Sequence, residues 1–190
     1  MRKELREKYR IPNEKVLSDL FAEKEPKWNE DLKKEAWWQR DNLKKIEISL
    51  LDEKSADMIS SFKRLNEIML EIGGSETSFN EWSENYKKLL ERGYYREGKS
   101  KMKKGQPCQC HYNVARLFDE SIEDDDIVIC TGFALSDDGM WRSHSWALQK
   151  YISRTGKLKT RLIETTAKRV AYFGFELSSV EANEFAEFNS

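Results

Sequence analysis

At 190 residues the chain has the length of one ordinary domain, or of a domain of about 100 residues with a helical extension, and can bury a core without disulfide or metal staples. Its 33 Lys and Arg nearly balance 34 Asp and Glu, which argues against whole-molecule attraction to nucleic acid or an anionic membrane, and no run of about 18 apolar residues is present to span one. The opening MRKELREKYR lacks the apolar stretch of a secretory signal, and Cys108, Cys110 and Cys130 form an odd set whose first two members are too close to bridge comfortably, so reduced thiols in a cytoplasmic protein are expected.

The first half reads as helices. A short one is placed around Val16 to Phe21. From Trp28 to Leu50 the apolar residues Trp28, Leu32, Ala36, Leu43, Ile46 and Leu50 keep a 3.6-residue phase behind Pro26. A second long helix runs from about Ser55 to Ile72 and stops at Gly73-Gly74, where a left-handed cap is free of a Cβ penalty. A third starts at Ser78, where Ser78 to Glu81 fits a capping box, and presents Trp82, Tyr86 and Leu89 before Gly93. Such stripes are core-forming faces and imply no cofactor; a helical arm gripping another macromolecule is the other use of so long a charged helical run.

At Tyr94 the texture changes. Lys99, Lys101, Lys103 and Lys104 between glycines read as an exposed basic loop, which serves either as a solvated segment or as a rim attracting acidic substrates. A helix is expected from Cys110 to about Asp119, then an acidic turn over Glu123 to Asp126. The runs DIVICTGFAL, WRSHSWALQKY, LKTRLIETT and RVAYFGFEL have strand periodicity, and Ser178 to Glu181 offers a cap for a final short helix. The order predicts an α+β fold, with a helical region over 1–93 and an α+β core over 94–190, separate or continuous.

One constellation carries chemistry. A cysteine attacks as thiolate, and a helix N-terminus stabilises that anion; Cys110 stands at such a terminus, behind Gly105 and Pro107. His144 is the imidazole to serve it, because His111 leaves the helix about 100° around from Cys110. In RSHSWALQK, His144 shares a strand face with Trp146, and Glu164 lies on the following strand. A hairpin centred on Arg154 would set His144 opposite Glu164, with Cβ atoms roughly 4.5 to 5.5 Å apart; a one-residue slip would put them on opposite faces. Cys108 remains a rival nucleophile.

Cys110 at its helix start, the strand VICTGF, His144-Ser145-Trp146 and Glu164-Thr165-Thr166 resemble, in that order, the transglutaminase-like branch of the papain-like cysteine enzymes. The resemblance covers about Gly105 to Phe173. It implies Cys110 as nucleophile, His144 as base and acid, Glu164 as the orienting carboxylate and Trp146 as a wall of the site. The chain departs from that pattern in having Glu164-Thr165 where Asp-Pro is usual, and Cys108 where Gly is usual.

An oxyanion would be met by the backbone N–H of Cys110, with Gln106 or Gln109 as side-chain donors. Trp141 either shapes the cleft or packs behind the turn Asp137-Asp138-Gly139. The expected activity is hydrolysis or deamidation of a peptide or protein amide through a thioester on Cys110. Two alternatives stand beside it. One is a non-catalytic adaptor of the same fold. The other is a zinc site drawn from Cys108, Cys110, His111, Cys130 and His144, whose spacing matches no ordinary structural zinc motif.

Overall fold

A computed structural model describes residues 1–24, 27–28, 53–78, 85–121 and 127–190. Among them six helices accompany one seven-stranded sheet. The helices are α1 (Lys3–Lys8), α2 (Glu14–Phe21), α3 (Glu53–Ile72), α4 (Tyr86–Arg92), α5 (Cys110–Asp119) and α6 (Ser179–Asn189). The strands are β1 (Glu76–Thr77), β2 (Tyr94–Glu97), β3 (Ser100–Met102), β4 (Ile127–Leu135), β5 (Met140–Ile152), β6 (Leu158–Glu164) and β7 (Ala171–Glu176). The fold is mixed, with a mostly antiparallel sheet ordered β2-β7-β4-β5-β6-β3; the two parallel pairings are β1 with β5 and β3 with β6.

Local chemistry explains the boundaries. Asn13 caps α2 by accepting from the Val16 amide at 3.0 Å, and Ser178 with Glu181 closes a full capping box on α6. Helix α3 buries Ile59, Phe62, Leu65, Met69 and Ile72 on one stripe. It ends at Gly73-Gly74, and the φ of 94° at Gly74 is one that glycine adopts at no steric cost. The helix expected over Trp28 to Leu50 lies, beyond Trp28, outside the described residues, as do Phe79 to Glu81 of the expected capping box and the turn Glu123 to Asp126. Helix α4 is described from Tyr86.

The strands alternate strictly. Odd-numbered residues of β4 to β7 meet the helices: Phe133, Leu135, Trp141 and Phe173 pack with Phe21, Leu65 and Leu89, while Ile129, Ala147 and Ile163 pack with Val114 and Ala182. Even-numbered Cys130, Trp146, Leu148, Leu162 and Tyr172 form a separate cluster on the opposite face. One buried cluster therefore joins the first-half helices to the second-half strands across position 93. The change of texture at Tyr94 marks a change of secondary structure within that core.

The basic segment is more ordered than expected. Tyr94–Glu97 and Ser100–Met102 are edge strands, pairing with β7 and β6, so only short turns remain as loop. Lys101, Lys103 and Lys104 stay exposed. Both pieces lie beside long strands whose free edges supply backbone partners, an effect invisible to local composition.

Candidate functional site

The hairpin is centred one residue beyond Arg154. Leu148 pairs with Leu162 and Ala147 with Ile163, so one further step would set Glu164 against Trp146 and diagonal to His144. This shift displaces the pairing by two residues, and an even displacement keeps His144 and Glu164 on the same face. The side chains meet directly: His144 Nε2 lies 2.8 Å from Glu164 Oε2.

Glu164 is fully buried, and every lone pair that matters is used. Oε1 accepts the backbone N–H of Thr165 at 2.8 Å and of Thr166 at 2.9 Å, and the Thr166 hydroxyl at 3.2 Å. Oε2 accepts the Tyr172 hydroxyl at 2.8 Å beside His144. Burial works to raise the carboxyl pKa, but the hydrogen bond and charge of His144, with the Thr166 amide and the Tyr172 hydroxyl, outweigh it and bring it down to about 2. The acid is held as carboxylate.

Tyr172 is the residue that sequence reasoning missed. It stands on β7, three strand intervals from β6, about 14 Å along a flat sheet. Its bond to Glu164 exists because the sheet curls toward this face. Trp146 fills the concavity, with its ring centroid 4.8 Å from that of Tyr172 and 6.3 Å from the His144 ring at an interplanar angle of 19°. A Cβ on Gly174 would run into the Trp146 ring, so glycine there makes room for the indole.

The thiol arrives from the helix face of the sheet. The β5–β6 ladder stops at Ala147–Ile163, and β1 pairs with β5 only at Met140 and Trp141. Between them no described strand covers that edge of β5, and the start of α5 lies there. Cys110 is half-buried, and the His144 side chain with the backbone at Ser145 and His111 stands close enough to its sulfur to stabilise the thiolate. Since Nε2 of the imidazole belongs to Glu164, Nδ1 is the nitrogen left for sulfur.

The electrostatics follow the geometry. Burial pushes the Cys110 thiol up, but the hydrogen bond and charge of His144 and the backbone donors outweigh it, leaving the thiol below its ordinary value. For His144 burial favours the neutral ring, yet bonding to Cys110 and Glu164 and their charges raise its pKa. The two shifts favour a thiolate beside an imidazolium.

Backbone bonds set the approach of this helix. The Lys103 N–H donates to the Glu164 carbonyl and the Gly105 N–H to the Thr165 carbonyl, each at 2.9 Å, so the loop before α5 extends the β3–β6 pairing. Asn113 then clamps Gln106, accepting its amide and donating to its carbonyl, both at 2.8 Å. The helix start carries no side-chain cap, and Cys108 lies exposed in the turn at φ 59°. The Cys110 sulfur is thus the one brought to His144.

No family model, curated protein or solved structure matches this chain.

The remaining expected site residues divide. Gln106 and Gln109 are exposed in the segment that precedes Cys110. Trp146 backs the imidazole from inside the concave face, 2 % exposed. Trp141 belongs elsewhere: it is fully buried among the helices on the odd face, its indole N–H donating to the Gly73 carbonyl at 2.7 Å. It locks the end of α3 to β5 and lines no cleft, because residue parity separates it from His144. His111 pairs through Nδ1 with the Ser145 hydroxyl at 2.7 Å, its pKa lowered by burial and then by the His144 charge. Cys130 is buried among aromatic side chains, and burial, with the Glu176 charge, raises its pKa. Among the described residues no three His, Cys, Asp or Glu side chains form a metal-holding group. No described helix is long and apolar enough to cross a membrane.

Proposed function

We propose that this protein is a cysteine-dependent amide-acting enzyme, a peptide or protein hydrolase or deamidase, built on a divergent transglutaminase-like core. The observation that carries the reading is an imidazole held through Nε2, at 2.8 Å, by a buried carboxylate with its own full set of donors, beside a thiol whose pKa that imidazole lowers. Buried polar groups satisfied to this degree fix a geometry, and a lowered thiol pKa beside an oriented histidine is the requirement of thiol catalysis.

In the reaction His144 takes the Cys110 proton through Nδ1, and sulfur adds to the amide carbonyl. The negative charge on oxygen is met by the Cys110 N–H with Gln106 or Gln109, both exposed in the segment that precedes it. The carbon–nitrogen bond then breaks as His144 gives its proton to the leaving amine, and a thioester remains on Cys110. Water or another amine, deprotonated by His144, attacks that thioester and releases the thiol. Glu164 holds the imidazolium in both halves and stays ionised. The chemistry asks for no cofactor, and a free thiolate suits the reducing cytoplasm.

Iodoacetamide labelling of the intact protein at pH 6, with peptide mapping, tests the reading. Fast labelling of Cys110 that falls at least about tenfold in His144→Ala supports it. Slow, equal labelling of Cys108 and Cys110 in both proteins would overturn it in favour of a binding protein.

A further inference from the structure

Next to the thiol loop lies a cavity of about 310 Å³ that the proposed reaction does not use. One wall is the extended segment Lys103 to Gly105, and the other is α5, which contributes Asn113, Arg116 and Leu117. Asn113 and Leu117 follow Cys110 at spacings of three and seven, so they share its side of the helix. The trough thus begins about 4.5 Å along the helix axis from Cys110 and extends past Leu117, about 10 Å away. An extended peptide with its amide at the sulfur reaches this depth with a side chain two or three residues removed.

The lining selects for charge. Lys103 and Lys104 have no carboxylate partner among the described residues, whereas Arg116 is paired with Glu120 at 2.9 Å. Among the described residues, then, these two ammonium groups line the trough without a carboxylate bonded to them. On its floor Thr165 is 1 % exposed, and its hydroxyl oxygen is buried without a hydrogen-bond partner. A buried unpaired hydroxyl beside unpaired ammonium groups is a ready donor for an anionic oxygen. Leu117 gives an apolar flank, and the Glu120 carboxylate at the margin opposes a dianion more than a monoanion.

We infer that this trough binds the carboxylate of a glutamate or aspartate lying two or three residues from the amide that meets Cys110. The inference rests on the proposed amide chemistry for its register and on the trough itself for its charge preference.

The test titrates the full-length Cys110→Ala protein, which cannot turn over, with a capped glutamate-containing pentapeptide and its glutamine counterpart, following backbone amide signals by NMR. Saturable shifts at Gly105, Asn113 and Thr165 are expected with the glutamate peptide, with affinity at least tenfold weaker for the glutamine peptide. Lys103→Ala/Lys104→Ala, at exposed positions whose backbone bonds persist, should remove that preference. Equal shifts from both peptides, or none at these amides, would overturn the inference. Inorganic phosphate shifting the same amides more tightly than the glutamate peptide would also overturn it, by making the site one for phosphate. Iodoacetamide labelling of Cys110 separates the two readings: peptide binding with an unreactive Cys110 keeps the carboxylate site and discards the thioester, and the reverse result discards only the carboxylate site.

Discussion

Tyr172 and Glu164 are hydrogen-bonded at 2.8 Å although two strands, β4 and β5, separate their own in the sheet. The phenol is one of two donors on the carboxylate oxygen that faces His144, so the bond links sheet curvature to imidazole orientation. Tyr172→Phe keeps the ring packing against Trp146 and removes only this donor. Thermal unfolding should report a loss of about 1–2 kcal/mol. The pH profile of Cys110 alkylation should move upward, because a less firmly held acid stabilises the imidazolium less.

The Cys110 thiol titrates below its ordinary value, with His144 as its main stabiliser. Alkylation by iodoacetamide as a function of pH should therefore reach its plateau at lower pH than for a free thiol. In His144→Ala burial acts unopposed by imidazolium, and the inflection should rise above that of the wild type. Cys108→Ser should leave the wild-type profile unchanged.

Glu164 has a folded pKa of about 2 against an ordinary 4.5. A depressed carboxyl pKa gives stability that is fully present above 4.5 and lost as pH falls toward 2, here of order 3 kcal/mol, an amount shared with His144. Urea midpoints between pH 7 and pH 2 should fall across that window in the wild type. In Glu164→Gln the same acid limb should be flatter, starting from a lower stability at pH 7.

Gly174 lies under the Trp146 indole. Gly174→Ala forces the indole or β4 to shift and should cost about 1–3 kcal/mol, lowering Tm by several degrees. Since Trp146 stacks on His144, Cys110 alkylation at pH 6 should slow as well.

Trp141 provides the contrasting case. Trp141→Phe loses the indole bond to the Gly73 carbonyl and should destabilise by about 1–2 kcal/mol. Its Cys110 alkylation profile should overlay that of the wild type, because the residue sits on the opposite face from His144.

Several features were legible in the residue pattern and others were not, for identifiable reasons. Helix α3 and its glycine stop, the start of α5 at Cys110 and all four long strands follow from periodicity and breakers, which are local signals. That His144 and Glu164 share a face was readable from period two, and the true register differs by two residues because the turn is centred on Thr155. Tyr172 was hidden because its partner is set by sheet curvature, a property of the assembled strands. Trp141 carried no marker that distinguishes a core tryptophan from a cleft one; only its odd position relative to His144 did. Helix α1, six mostly charged residues with none buried, has no stripe to read.

Glu164 takes part in the fold twice over. Its side chain steadies the imidazole, while its carbonyl receives the Lys103 amide and so tethers the segment that delivers the sulfur. Base and the segment leading to the nucleophile are consequently moored to one post. Lys103 and Gly105 amides should exchange with deuterium as slowly as the end of β6, marking the approach to the reactive cysteine as an anchored stretch of irregular chain.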